Sequence, residues 1–151
     1  MLYQLNNIEQ TIALAQKIAP IITSPFVITF NGGLGAGKTT IIRYILQAMG
    51  VTETIKSPTY TLVESYTYNQ IELHHFDLYR FNDPDEWFDS GFDEYFNANS
   101  ICFIEWPTKA PQLTIHTDWA IDITITNTQH RILNITALSP KGKICLDQLT
   151  V

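Results

Sequence analysis

The sequence has no apolar run approaching the ~18 residues that cross a bilayer as a helix. Its first residues also lack the basic-then-apolar plan of a secretory signal, so a soluble, cytoplasmic chain with no membrane partner is expected. Cations are scarce: nine Lys plus Arg stand against fifteen Asp plus Glu, a formal charge of −6. Affinity for a nucleic-acid backbone scales with the phosphates neutralised, so this composition argues against a domain that grips nucleic acid alone; any such contact is expected to depend on a partner. Cysteine is scarcer still. Cys102 and Cys145 sit in apolar surroundings without CxxC or Cys/His spacing, which favours buried reduced thiols over a disulfide or a zinc site. There is no Pro/Gly-rich linker, low-complexity tract or internal repeat to divide the chain. With 45% hydrophobic residues, 1–151 is read as one α/β domain.

The elements follow from periodicity. Ile8, Ile12, Ala15 and Ala19 recur at near-helical spacing behind Asn6-x-x-Glu9, a capping-box pattern, and Pro20 ends the run, so an amphipathic first helix is expected from Asn6 to Ala19. Phe26–Phe30 is a β-rich run broken by glycines, and Thr39–Met49 is helical in pattern before Gly50. Strands are expected at Thr59–Tyr68, Ile71–Asp77 and Ile101–Trp106, with Asn69-Gln70 as a hairpin turn. The acidic piece from Asn82 to Asn97 reads as irregular with short helical stretches. Trp119–Thr126 and Arg131–Leu138 alternate apolar with polar residues, the pattern of an antiparallel hairpin. Pro140–Val151 reads as a last strand or a loose end.

Gly32-Gly-Leu-Gly-Ala-Gly37-Lys38-Thr39 matches G-x-x-x-x-G-K-[ST] at every fixed position, after a strand and before a helix. Glycines let backbone N–H groups converge on phosphate oxygens, and the helix presents its positive end. Gly35, Ala36 and Gly37 therefore form the cradle, Lys38 reaches the β- and γ-phosphates, Thr39 offers Mg²⁺ a hydroxyl and Thr40 sits near the α-phosphate. These features predict an α/β, three-layer P-loop NTPase fold with a mixed, mostly parallel central sheet and a C-terminal antiparallel hairpin, binding ATP with Mg²⁺. Such a site also needs an acid at a neighbouring strand end, and both Asp77 and Glu105 qualify. His74 and His75 read as strand-surface or satisfied core histidines rather than ligands.

Four motifs in order, Gly32-Gly-Leu-Gly-Ala-Gly-Lys-Thr-Thr40, Ser57-Pro-Thr-Tyr-Thr-Leu62, His75-Phe-Asp-Leu-Tyr-Arg80 and Ile104-Glu-Trp-Pro107, resemble those of the TsaE (YjeE) family, the small ATPase of bacterial tRNA threonylcarbamoyladenosine synthesis. The resemblance runs from the first helix to the C-terminal hairpin. It implies work with a TsaB–TsaD pair, the latter transferring threonylcarbamoyl to the adenosine beside the anticodon of tRNAs that read codons beginning with A. It further implies that Thr39 and Glu105 ligate Mg²⁺, that Asp77 serves hydrolysis alongside Lys38, and that Ser57-Pro-Thr59 responds to the γ-phosphate. Trp106, Arg131 and Thr11 are similar to family residues near the nucleotide. One position departs from the pattern: the family usually carries Asp where this chain has Gly33.

Two other function classes share the loop. A small-molecule kinase needs a lid of several arginines, and this chain offers only Arg43, Arg80 and Arg131 in separate segments. A non-hydrolysing nucleotide sensor would gate a partner by binding alone.

Overall fold

The computed structural model describes residues 1–149; Thr150 and Val151 lie outside the described residues. Seven strands form one sheet: β1 (Leu2–Leu5), β2 (Phe26–Asn31), β3 (Val63–Tyr68), β4 (Ile71–Asp77), β5 (Ser100–Glu105), β6 (Trp119–Ile125) and β7 (Arg131–Ala137), in the order β1-β7-β6-β2-β5-β4-β3. The central four, β6, β2, β5 and β4, run parallel, and antiparallel pairings close both flanks. The sheet is therefore mixed with a parallel centre, as the apolar runs and the alternating hairpin together required.

Every residue of β5 and the first five of β2 are buried, because helical segments cover both faces of the sheet there. On one face, α1 (Ile8–Ile18), α2 (Lys38–Met49) and α4 (Pro140–Gln148) pack on Phe26, Ile28, Phe30, Ile101 and Phe103. On the other, the short helix α3 (Glu86–Asp89) and 3₁₀ turns at Phe92–Tyr95 and Pro111–His116 cover Val27, Phe76, Cys102 and Ile104 with Trp87, Phe92 and Leu113. Both cysteines are free and buried, and burial pushes the Cys102 thiol up to about 12. Among the described residues no helix is long and apolar enough to cross a membrane.

Several boundaries differ from the sequence reading. The first helix is capped by Asn7 rather than Asn6: Asn7 is extended and its side chain accepts from the Gln10 N–H, while Gln10 Oε1 accepts from the Asn6 N–H. The strand expected from Thr59 starts only at Val63, since Leu62 turns left-handed (φ 70°) and donates its N–H back to Pro58 O. The strand expected through Trp106 ends at Glu105, because Trp106 is itself left-handed (φ 58°). The tail is neither a strand nor loose over its described part. Ser139 caps α4 by accepting from Gly142 N–H, Pro140 occupies the first turn, and Gly142 O accepts from Trp119 Nε1 at 2.7 Å. Strand β1, absent from the sequence reading, pairs antiparallel with β7, Leu2 opposite Asn134. The Asn69-Gln70 hairpin turn forms as expected, both residues at positive φ (50° and 65°) between β3 and β4.

Candidate nucleotide site

Three parallel strands deliver the site to one edge of the sheet. Phe30 and Asp77 both stand opposite Glu105, so β2, β5 and β4 end level, and the chain leaves β2 directly into the glycine loop. Gly35 (φ +74°) and Gly37 (φ +101°) hold the left-handed conformations that let the loop curl into α2. No side chain caps α2 among the described residues, and its first turn carries no acid, so the helix presents its first amides and positive end to the loop.

A cleft of about 780 Å³ opens above this edge. It gathers Thr11 from α1, Gly35, Ala36 and Gly37 from the loop, Lys38, Thr39 and Thr40 from α2, Asp77 from β4, Glu105 and Trp106 from β5 and its exit, and Arg131 from β7, whereas Ser57 and Pro58 do not line it. Thr59 also lines it; of the segment Ser57–Thr59, Ser57 bonds Thr59 at 2.8 Å, and Thr59 reaches Asp77 Oδ2 at 3.5 Å.

Charge is concentrated at the floor. Lys38 is only 5% exposed, and its ammonium donates to Gly32 O (2.7 Å) and Gly33 O (2.9 Å) while lying 4.2 Å from the centre of the Trp106 ring. Burial lowers its pKa against the opposing pull of Glu105 and Asp77. Burial likewise raises the Asp77 pKa, although the Tyr79 N–H donated to its Oδ1 (3.0 Å) favours the charged form. Thr39 Oγ1 donates to Glu105 Oε1 at 2.7 Å. From the loop's other side, Arg131 donates through Nε to Ala36 O (2.9 Å) and through Nη2 to Gly35 O (3.3 Å). Two cations therefore hold the loop carbonyls.

The residues present fit a Mg²⁺–nucleoside triphosphate. An uncapped helix start, a loop lysine and a Thr–carboxylate pair are the donor set that phosphate and a hard cation require. No group of three or more His, Cys, Asp or Glu gathers to hold a metal ion among the described residues.

Sequence reasoning missed two parts of this site. The start of α1, from Asn6 to Glu9, lines the cleft, together with Tyr79, Gln129 and Leu133. The capping pattern at Asn6–Glu9 marked a helix N-terminus but not the direction it faces. His74 is satisfied as expected, between Ser65 Oγ (2.7 Å) and Glu72 Oε2 (3.3 Å). His75 is not a satisfied core histidine: its Nε2 lies 2.8 Å from Glu105 Oε1, while its buried Nδ1 meets no partner among the described residues.

Fold and loop together define a protein of the P-loop NTPase class. Its backbone superposes on the crystal structure of Bacillus subtilis YdiB with a TM-score of 0.82 at 25% identity, covering 99% of this chain and 93% of that one. The family model described as threonylcarbamoyl adenosine biosynthesis protein TsaE matches residues 5–133. Curated relatives bearing the name tRNA threonylcarbamoyladenosine biosynthesis protein TsaE include those of Haemophilus influenzae (46% identical over 97 residues, 64% of this chain and 61% of that protein) and Bacillus subtilis (39% over 100 residues, 66% and 62%). These two matches span less than two thirds of the relatives' own length, whereas the Rickettsia bellii protein of the same name aligns over 92% of its length at 30% identity. The chain belongs to the TsaE family.

Proposed function

We propose that this chain is a single-domain, Mg²⁺-dependent ATPase that serves tRNA threonylcarbamoyladenosine formation in the cytoplasm, acting with a TsaB–TsaD type complex and meeting tRNA only through those partners. The observation that carries this reading is the convergence of Lys38, Thr39, Asp77 and Glu105, from three separate elements, on one cleft at the mouth of the glycine loop. The relatives' shared name supports the pathway.

The placement of these residues supports a role for each. The loop amides, Lys38 and the start of α2 would bind phosphate; Thr39 and Glu105 would hold the cation, which would neutralise phosphate charge and orient its oxygens. Asp77, level with Glu105 and raised in pKa by burial, would orient water and take its proton. Thr11, Trp106, Thr40 and Arg131 surround the rest of the nucleotide, Arg131 doubling as a brace on the loop.

The available cations favour an ATPase that needs help over a kinase. Arg131 is engaged with the loop carbonyls, and Arg80 lies 4.3 Å from the centre of the Tyr60 ring. A lid of several arginines closing on a transferring phosphoryl group is not built from them. The experiment is a reconstitution: partners, tRNA, ATP and the threonylcarbamoyl donor, with and without this chain, counting modified tRNA per partner complex. Repeated turnover that needs both the chain and hydrolysable ATP supports the reading. Equal product without the chain refutes it, and full support by a non-hydrolysable analogue leaves the chain a sensor.

A further inference from the structure

His75 lies on β4, fully shielded from solvent. Its two ring nitrogens, read together, fix its tautomer. Nε2 faces Glu105 Oε1 at 2.8 Å, and Nδ1 is buried with no partner among the described residues. A proton on Nδ1 would bury an unpaired N–H and set the Nε2 lone pair against a carboxylate. A proton on Nε2 gives the carboxylate a donor and leaves only a bare acceptor at Nδ1. The imidazole therefore donates to Glu105.

The partner of that bond matters because Glu105 is itself only 2% exposed and also accepts from Thr39 Oγ1 at 2.7 Å. Both contacts fall on Oε1. One oxygen of the carboxylate is thus pinned between β4 and α2, which fixes the plane in which the other oxygen stands. The arrangement is set by sheet register. Asp77 pairs with Glu105 and His75 with Phe103, so along one face of β4 the histidine stands one step behind the two acids.

We infer that His75 is a positioning residue: its Nε2–H holds the Glu105 carboxylate in the orientation that ligates Mg²⁺, without touching metal or nucleotide. The inference rests on the Mg²⁺–ATP reading of the cleft and adds to it a residue from outside the cleft lining. Hydrogen bonds to a ligating carboxylate commonly set metal affinity by about 10–100-fold.

The test titrates Mg²⁺ against binding of a fluorescent ATP analogue, reading both the Mg²⁺ midpoint and the metal-free affinity, for wild type, His75→Leu, His75→Gln and His75→Asn. A glutamine amide places a donor near the Nε2 position, whereas asparagine's stops near Nδ1. The expected result is a midpoint raised about 10–100-fold in His75→Leu and His75→Asn, largely restored in His75→Gln, with metal-free affinity unchanged throughout. Equal midpoints in all four proteins overturn the role. So does a parallel fall of metal-free affinity in every variant, which marks His75 as core packing. Should thermal melting show His75→Leu unfolded, the Gln–Asn contrast decides alone. A wild-type protein whose nucleotide binding ignores Mg²⁺ removes the metal reading of the cleft, and this inference with it, before any variant is compared.

Discussion

Replacing Lys38 by methionine keeps the buried stem and removes only the ammonium, so it separates what that charge does for the fold from what it does for a nucleotide. In the free chain the ammonium makes two hydrogen bonds, to Gly32 O and Gly33 O, and lies over the Trp106 ring. Bonds from a charged donor contribute about 1.5–3 kcal/mol each and a cation–π contact about 0.5–2 kcal/mol. Against this stand the burial that lowers the lysine pKa and the ability of the loop carbonyls to take water once the ammonium is gone, since Gly33 is exposed. The net loss of stability is therefore expected at about 1–2 kcal/mol, a fall in melting temperature of about 2–8 °C for a chain of this size. If the ammonium exchanges those two carbonyls for phosphate oxygens on binding, the affinity it adds is the difference between the two sets of bonds. Roughly 1.4–2.8 kcal/mol remains, or about 10–100-fold in Kd. Differential scanning fluorimetry and titration with a fluorescent ATP analogue measure the two effects. Unchanged affinity in a variant that melts within the expected range would show that Lys38 does not face phosphate.

Glu105→Gln is expected to weaken nucleotide binding about tenfold or more in Mg²⁺ and hardly at all in EDTA; identical loss in both buffers would remove Glu105 from the metal. Asp77→Asn is expected to slow phosphate release far more than it weakens binding. It should also raise the melting temperature of the free chain at pH 7. Burial raises the Asp77 carboxyl pKa above its ordinary value, so the folded state binds its proton more tightly than the unfolded state, and the stability present below the ordinary value is lost as pH rises through the raised one. Melting curves at pH 5 and pH 7 for both proteins check the sign, and a larger pH dependence in the variant would contradict it. Gly142→Ala places a Cβ 2.3 Å from Asp118 O, which cannot move without dragging β6; a loss of about 1–3 kcal/mol by chemical denaturation is expected, and wild-type stability would mean that α4 does not dock as described.

The site was more legible than the edges of the fold. A strand, a glycine loop and a helix start in immediate succession carry their own geometry, and alternation along Ile71–Asp77 already puts His75 and Asp77 on one face. What alternation could not supply was register: β4 against β5 brings Glu105 to His75, and β2 against β5 levels it with the loop that leads to Thr39. Strand β1 was hidden for a related reason. Leu2–Leu5 is four residues long, and its partner strand β7 starts at Arg131, so nothing local distinguishes it from a loop. The α4 helix was readable in principle, since Ser139-Pro140 is a cap followed by a first-turn proline. Gly142, Lys141, Lys143 and Asp147 dilute its apolar face, and docking on Trp119 overrides that weak pattern.

Steady-state phosphate release tests most directly whether the chain is a partner-activated ATPase that does not capture tRNA by itself. The rate is measured for the chain alone, with tRNA alone, and with the TsaB–TsaD complex. An arginine supplied in trans can contribute about 10³–10⁵ in rate; ordering of the Ser57–Thr59 segment or of Asp77 is a second route to stimulation. Slow release alone, no change with tRNA, and marked acceleration by the protein partners that Glu105→Gln abolishes are expected. Equal rates in all three conditions, or acceleration by tRNA alone, would contradict that reading.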